Sequence, residues 1–186
     1  MIELYRILWG ITGSGDKIEE ILEVMTHLDK DAEIKISVMI SKSGEQVLRL
    51  YKLWDLLHES FSSVYLETNA NVPFLAGPLQ IGKYDLLVIA PLTANSTAKI
   101  AHGIADTLIT NAVAQTLKGQ TPVLLFPVDQ STTPIETISP DGTRFTITPR
   151  RIDLDNVERL RSMDRLTIVP SPSLLMKQVR DHIDMK

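Results

Sequence analysis

The stretch from Leu86 to Asn111 constrains this 186-residue chain more than any other. Leu86 to Ile89 is an apolar run too short for a typical helix and rich in branched side chains, the pattern of a strand buried on both faces of a parallel sheet. From Ala90 to Asn111 the chain then reads A-P-L-T-A-N-S-T-A-K-I-A-H-G-I-A-D-T-L-I-T-N. Pro91 predicts a turn, and Thr93, Asn95, Ser96 and Thr97 fall in the first turn of the helix that follows. That turn is a set of hydrogen-bond donors pointed at something. Ala94, Ala98, Ala101 and Ala105 recur at helical spacing, so one face of the segment is almost without side chains and admits a close partner.

On the amino side, Leu4 to Ile11 is a first strand whose Trp9 reads as core. Thr12-Gly13-Ser14-Gly15-Asp16 follows, and then Ile18, Ile21, Leu22, Met25 and Leu28 at helical spacing. A glycine-rich loop at a helix N-terminus leaves backbone N–H groups free, which is a phosphate site. The same two glycines equally serve a tight turn. The loop completes neither a dinucleotide fingerprint nor a Walker A motif. Ile34 to Ile40 is the second strand, ending in Ser41-Lys42-Ser43-Gly44, where Ser41 or Ser43 is the N-cap of a helix through Val47, Leu48 and Leu50. Leu53 to Leu57 continues the helical pattern, Ser63 to Leu66 is a short third strand, and Glu67 to Gly82 reads as irregular chain over the sheet edge.

Tyr84 to Ala90 is the fourth strand. In the segment after it Gly103 interrupts the helix, Asp106 is placed to cap a second one, and Gly119 closes that. Thr121 to Phe126 is the fifth strand. Ile135 to Thr148 alternates around Pro140-Asp141-Gly142, a hairpin pattern. Asp153 to Met163 is a helix, Leu166 to Val169 the sixth strand, and Ser171 to Ile183 a last helix capped by Ser171 with Pro172 in its first turn. The expected fold is one α/β domain: a doubly wound, parallel six-stranded sheet in a Rossmann- or flavodoxin-like three-layer sandwich, with the hairpin inserted after strand five. Ligands bind such sheets at the carboxyl ends of the strands, where the loops after strands one, two and four carry hydroxyls and glycines.

Composition narrows the chemistry. The chain is 44% hydrophobic and 23% charged, and no apolar run approaches the roughly 20 residues of a membrane span. Met1 to Arg6 runs into a strand pattern without a basic region or cleavage site, so the expectation is a cytoplasmic protein. A net charge of -4 and the lack of a basic helix disfavour nucleic acid. There is no cysteine, which removes thiolate metal sites and cysteine nucleophiles, so redox chemistry needs a bound cofactor. His27, His58, His102 and His182 lie far apart and share no ligand motif, and no metal site is expected. His102 has Asp106 as its one candidate partner at helical spacing.

Gly10-Ile11-Thr12-Gly13-Ser14, together with Pro91-Leu92-Thr93-Ala94-Asn95-Ser96 and Ala98-Lys99-Ile100-Ala101-His102-Gly103-Ile104-Ala105-Asp106, is similar to the homo-oligomeric flavin-containing cysteine decarboxylase superfamily. That superfamily includes phosphopantothenoylcysteine decarboxylase, the lantibiotic decarboxylases and the prenylated-flavin-forming prenyltransferase. The resemblance implies FMN as cofactor. It places Gly13, Ser14 and Gly15 at the phosphate, Ser41 against the flavin, and Thr93, Ala94, Asn95 and Ser96 along the cofactor, with Thr12, Pro91, Leu92 and Asp106 completing the implied set. It also implies trimers or multiples of trimers.

The departures set the chemistry apart. Phe74 to Gln80 lacks the histidine that the decarboxylases carry before strand four, and Pro127-Val128-Asp129-Gln130-Ser131-Thr132-Thr133 replaces their substrate clamp. Gly77-Pro78, Gly82-Lys83-Tyr84-Asp85, Ile104-Ala105-Asp106-Thr107 and Pro149-Arg150-Arg151-Ile152-Asp153 resemble the archaeoflavoproteins and flavin-dependent dihydromethanopterin reductases. The implied function is an FMN redox protein fed by a carrier such as ferredoxin, with a pterin as possible acceptor. The alternatives at this stage are a decarboxylase that has replaced its histidine and a non-enzymatic FMN-binding protein. Arg150 and Arg151 would dock an acidic carrier, or form a subunit contact or a solvated face.

Overall fold

In a computed structural model that describes residues 4–185, six strands form one parallel sheet. They are β1 (Tyr5–Ile11), β2 (Ile34–Ile40), β3 (Val64–Leu66), β4 (Leu86–Leu92), β5 (Val123–Pro127) and, last in the chain, β8 (Leu166–Ile168), in the order β3-β2-β1-β4-β5-β8. The antiparallel hairpin of β6 (Ile135–Ile138) and β7 (Arg144–Ile147) stands apart from the sheet, as its turn sequence predicts. Met1 to Glu3, part of the stretch read above for a leader, lies outside the described residues.

Alternation along the central strands divides the core in two. Ile7, Trp9 and Ile11 of β1 join a cluster with Ile18, Leu22 and Met25 of α1 (Ile18–Asp29), Leu48 of α2 (Lys42–Leu50), Leu57 of α3 (Trp54–Ser60) and Leu175 of α8 (Pro172–Asp184). On the other face, Leu8, Leu87 and Ile89 pack with Leu79 of α4 (Ala76–Gln80), Ile100 of α5 (Ala94–Ala101), Val113 of α6 (Leu108–Thr116) and Leu160 of α7 (Arg151–Arg161). Trp9 is fully buried, edge-on to Phe61 at 5.4 Å, and its indole N–H donates to the Ala90 carbonyl at 2.7 Å. A buried indole needs such an acceptor, and here it ties the ends of β1 and β4 together.

Several local expectations change. The chain does not turn at Pro91: β4 runs on to Leu92, with a cis Ala90–Pro91 bond and a register shift against β5 between Ile89 and Leu92. The shift carries Leu92 to the same core face as Leu87 and Ile89, and Thr93 becomes the residue that starts the helix. Asp106 does not cap α6. Thr107 does, accepting from the Thr110 N–H while the Thr110 hydroxyl accepts from the Thr107 N–H, a reciprocal pair that Asp106 could not form from one residue earlier. The helical pattern at Leu53 is a new helix, separated from α2 by Lys52 at φ 59°. Within the segment read as irregular, Ala76–Gln80 forms α4. The bare face of α5 admits a helix of the same chain: α5 packs against α7, and Ala101 shares a core cluster with Val157 and Leu160.

The start of α7 carries a pH-dependent contact. Asp153 is almost fully buried and accepts from the Arg150 backbone N–H at 3.1 Å and from its guanidinium at 2.8 and 2.9 Å. The guanidinium bonds hold its carboxyl below the ordinary carboxylate range, against the opposing effect of burial. A carboxyl lowered in the folded state stabilises it above the unfolded pKa and ceases to do so as pH falls through the folded value. Asp153→Asn is therefore expected to melt below the wild type at pH 7, with the gap closing as pH falls below the ordinary carboxylate value of about 3.9; thermal melts from neutral to acid pH measure it.

Candidate functional site

β1 feeds α1 into one layer and its neighbour β4 feeds α5 and α6 into the other, so a crevice opens between them at the carboxyl edge of the sheet. A cavity of about 580 Å³ lies there. Three helices begin at it. Ser41 caps α2 by accepting from the Gly44 N–H at 3.0 Å, Thr93 caps α5 by accepting from the Ser96 N–H at 3.2 Å, and Thr107 caps α6. Each helix N-terminus brings partial positive charge to the cavity, whose lining also holds two lysines, Lys42 and Lys99, and two carboxylates, Glu67 and Asp106.

Thr12 locks the two central loops together. Its backbone N–H and hydroxyl both donate to the Pro91 carbonyl, at 3.2 and 2.7 Å, and its hydroxyl oxygen accepts from the Thr93 N–H at 2.9 Å. Thr12→Val keeps the side-chain volume but leaves the Thr93 N–H without its acceptor. The expected cost is about 1–3 kcal/mol in a denaturant melt.

Gly13 follows under tight constraint. A Cβ there would come within 2.5 Å of the Ser43 Cβ, so the first loop rests directly on the start of α2.

The cavity also holds a carboxylate that sequence periodicity did not single out. Glu67 follows β3 directly and accepts from the Lys42 N–H at 2.9 Å and from the Leu108 N–H at 2.7 Å, joining the first residues of α2 and α6. Its position at a strand's carboxyl end was the available signal. Asn111 reinforces this arrangement by donating to the Ala70 carbonyl and the Asn71 side chain, both at 2.9 Å, which fastens the segment after β3 to α6.

Of the residues expected at the cofactor, Thr12, Gly13, Ser41, Thr93, Asn95, Ser96 and Asp106 line this cavity. Pro91 and Leu92 are buried in β4, and Ala94 occupies the first turn of α5. Ser14 is buried, its hydroxyl accepting from the Asp16 N–H at 3.2 Å, while Gly15 abuts the Tyr51 ring and lines a neighbouring cavity beneath the hairpin. Tyr51 holds the hairpin by donating to the Ile138 carbonyl at 2.9 Å.

Asp106 bonds Lys99 at 2.8 and 2.9 Å, and that contact lowers its carboxyl pKa. The candidate His102–Asp106 pairing does not form. Gly103, at φ 73°, ends the helical path between them, and His102 instead meets the Asn156 side-chain oxygen at 3.1 Å. Beyond β5, burial raises the Asp129 carboxyl pKa, and repulsion from Asp153 and Asp16 adds to the rise. Arg150 and Arg151 are both engaged with carboxylates of their own helix, Asp153 and Asp155.

The sequence profile named Flavoprotein matches residues 1–184. The chain belongs to the Flavoprotein family. An uncharacterized protein of Methanocaldococcus jannaschii is 46% identical over 98% of both chains. A dihydromethanopterin reductase (acceptor) of the same organism is 38% identical over 67% of this chain and 53% of its own length, so the chain matches about half of that reductase. Among solved structures, Burkholderia xenovorans DmrB in complex with FMN, described as a cubic protein cage for redox transfer, superposes with a TM-score of 0.84 at 34% identity, covering 97% of this chain and 96% of DmrB. The sequence resemblance to flavin-dependent dihydromethanopterin reductases thus agrees with both kinds of comparison, and the six-stranded Flavoprotein fold with its hairpin is the one expected.

Proposed function

We propose that this chain is an FMN-binding redox protein that takes electrons from a reduced carrier such as ferredoxin and delivers them to a small acceptor, with a pterin the leading class. The carrying observation is the convergence of three helix N-termini on one cavity beside Thr12 and Gly13. Its donor set suits a phosphorylated flavin. Glu67 already occupies the ends of α2 and α6, while the start of α5 has first-turn N–H groups left for a phosphate. Gly13 lets the first loop close onto the start of α2 at the rim of the cavity, and Asn95 and Ser96 offer further polar contacts. FMN, when bound, supplies the electron or hydride transfer. The protein's part is to bind and orient it and to set the electrostatics around it.

The reductase and DmrB relationships support this choice over decarboxylation, as does the missing histidine between Phe74 and Gln80. By the same relationship the chain forms a homo-oligomer, built from trimers in this reading. Exposed Val72, Phe74 and Ile81 around α4 provide apolar surface for such contacts. We place the protein in the cytoplasm; among the described residues no helix is long and apolar enough to cross a membrane.

Purification should yield a yellow protein whose released cofactor has the mass of FMN and whose colour is bleached anaerobically by reduced ferredoxin. A colourless protein that fails to bind added FMN overturns the flavin assignment. Bound FMN that ferredoxin reduces no faster than free FMN overturns the carrier assignment alone.

A further inference from the structure

A further cavity, of about 370 Å³, is lined by Arg6, Lys35, Ser37, Pro78, Lys83 and Tyr84. Arg6 and Lys35 are register partners in the adjacent parallel strands β1 and β2. Both lie on the face that carries Leu8 and Met39, so two cations stand side by side where the strands next contribute core residues. Like charges directly opposite one another destabilise a sheet unless something between them offsets the repulsion.

Among the described residues no carboxylate lines the cavity. Asp85 accepts from the Arg6 backbone N–H at 2.7 Å and lines a different cavity, and Asp29, whose charge Lys35 feels, accepts from the Ile36 N–H at 2.8 Å. The Lys35 ammonium donates to a neutral group, the Ser62 hydroxyl, at 2.6 Å. Lys83 is an exposed member of the lining, and Ser37 and Tyr84 bring hydroxyls to it, the Tyr84 phenol meeting both Ser37 and Tyr65.

We propose that this cavity is a binding site for a phosphate-bearing small molecule, held by the Arg6 fork, the two ammonium groups and the two hydroxyls. A guanidinium with two ammoniums and neutral donors matches a multiply charged phosphate better than a single carboxylate. The overall charge of -4 and the cavity's size set a small ligand apart from a nucleic acid. The site is separate from the candidate flavin cavity: Arg6 precedes Thr12, and Lys35 precedes Ser41, by six residues of extended chain, about 20 Å. It therefore does not depend on the flavin assignment.

The test is calorimetric titration of pyrophosphate into the protein as isolated, at constant ionic strength. It compares the wild type, the double variant Arg6→Gln/Lys83→Gln, and Gly13→Ala at the other cavity. The expected result is one saturable site per chain, weakened roughly tenfold or more in the double variant, or about 1.4 kcal/mol, and unchanged in Gly13→Ala. Both Arg6 and Lys83 are exposed, so the double variant keeps the core intact. Retained affinity in the double variant, loss in Gly13→Ala instead, or no saturable binding overturns the proposal. A failure of FMN binding with pyrophosphate binding intact overturns only the flavin assignment.

Discussion

Gly13→Ala is expected to weaken FMN binding by roughly 10–100-fold, or about 1.4–2.8 kcal/mol. The new methyl would meet the Ser43 Cβ at 2.5 Å and the Ser43 backbone at 3.1 Å. Neither atom is the free end of a flexible side chain, so the first loop and the start of α2 must move apart. Overpacking of this kind costs about 1–3 kcal/mol. Here it acts at the rim of the candidate cavity, so the displacement falls on the groups that would grip the phosphate. Fluorescence titration of FMN into the variant and wild-type apoproteins measures the effect. Equal affinities would mean that the first loop takes no part in binding. Ser43→Gly in the Gly13→Ala background removes the Ser43 Cβ that the new methyl meets most closely, and should recover part of the loss; no recovery would locate the defect elsewhere.

Much of the scaffold was legible because its signals are local. β4 is apolar on both faces throughout, β1 and β2 become so toward their carboxyl ends, and glycines, hydroxyls and prolines punctuate the helices between them. The misreadings arose where a distant partner overrode a local rule. Pro91 has the look of a strand terminator, yet its carbonyl is held by two donors from Thr12, 79 residues away, and the strand continues. Asp106 sits at a plausible cap position, but the neighbouring Thr107 has Thr110 three residues on to return the bond. α4 has five residues, too few to display a helical period. The candidate site was half visible for the same reason. Ser41 and Thr93 announce helix starts in sequence, whereas Glu67 works through backbone groups 25 and 41 residues away and leaves no periodic trace.

Glu67 is also where stability and redox tuning should separate. Glu67→Ala removes the acceptor for the Lys42 and Leu108 N–H groups, two charge-assisted bonds at helix starts. Each such bond contributes up to about 1.5–3 kcal/mol, but Glu67 is partly exposed and water replaces much of what is lost, so the expected total is about 2 kcal/mol. Glu67→Gln keeps an oxygen acceptor and the side-chain length and should lose less than half of that. Charge distinguishes the two roles. A carboxylate lining the cavity opposes the negative charge that bound flavin gains on reduction, so the wild-type potential is held down. Both variants should raise the midpoint potential of bound FMN, by an amount on the order of tens of millivolts for one charge at the edge of a partly hydrated site. Dye-equilibration titrations read the potential, and denaturant melts read the stability. If Glu67→Gln lowered stability and left the potential where it was, Glu67 would be a helix clamp without electrostatic reach to the cofactor. A raised potential with near-normal stability would make it the residue through which this chain sets the driving force of its electron transfer.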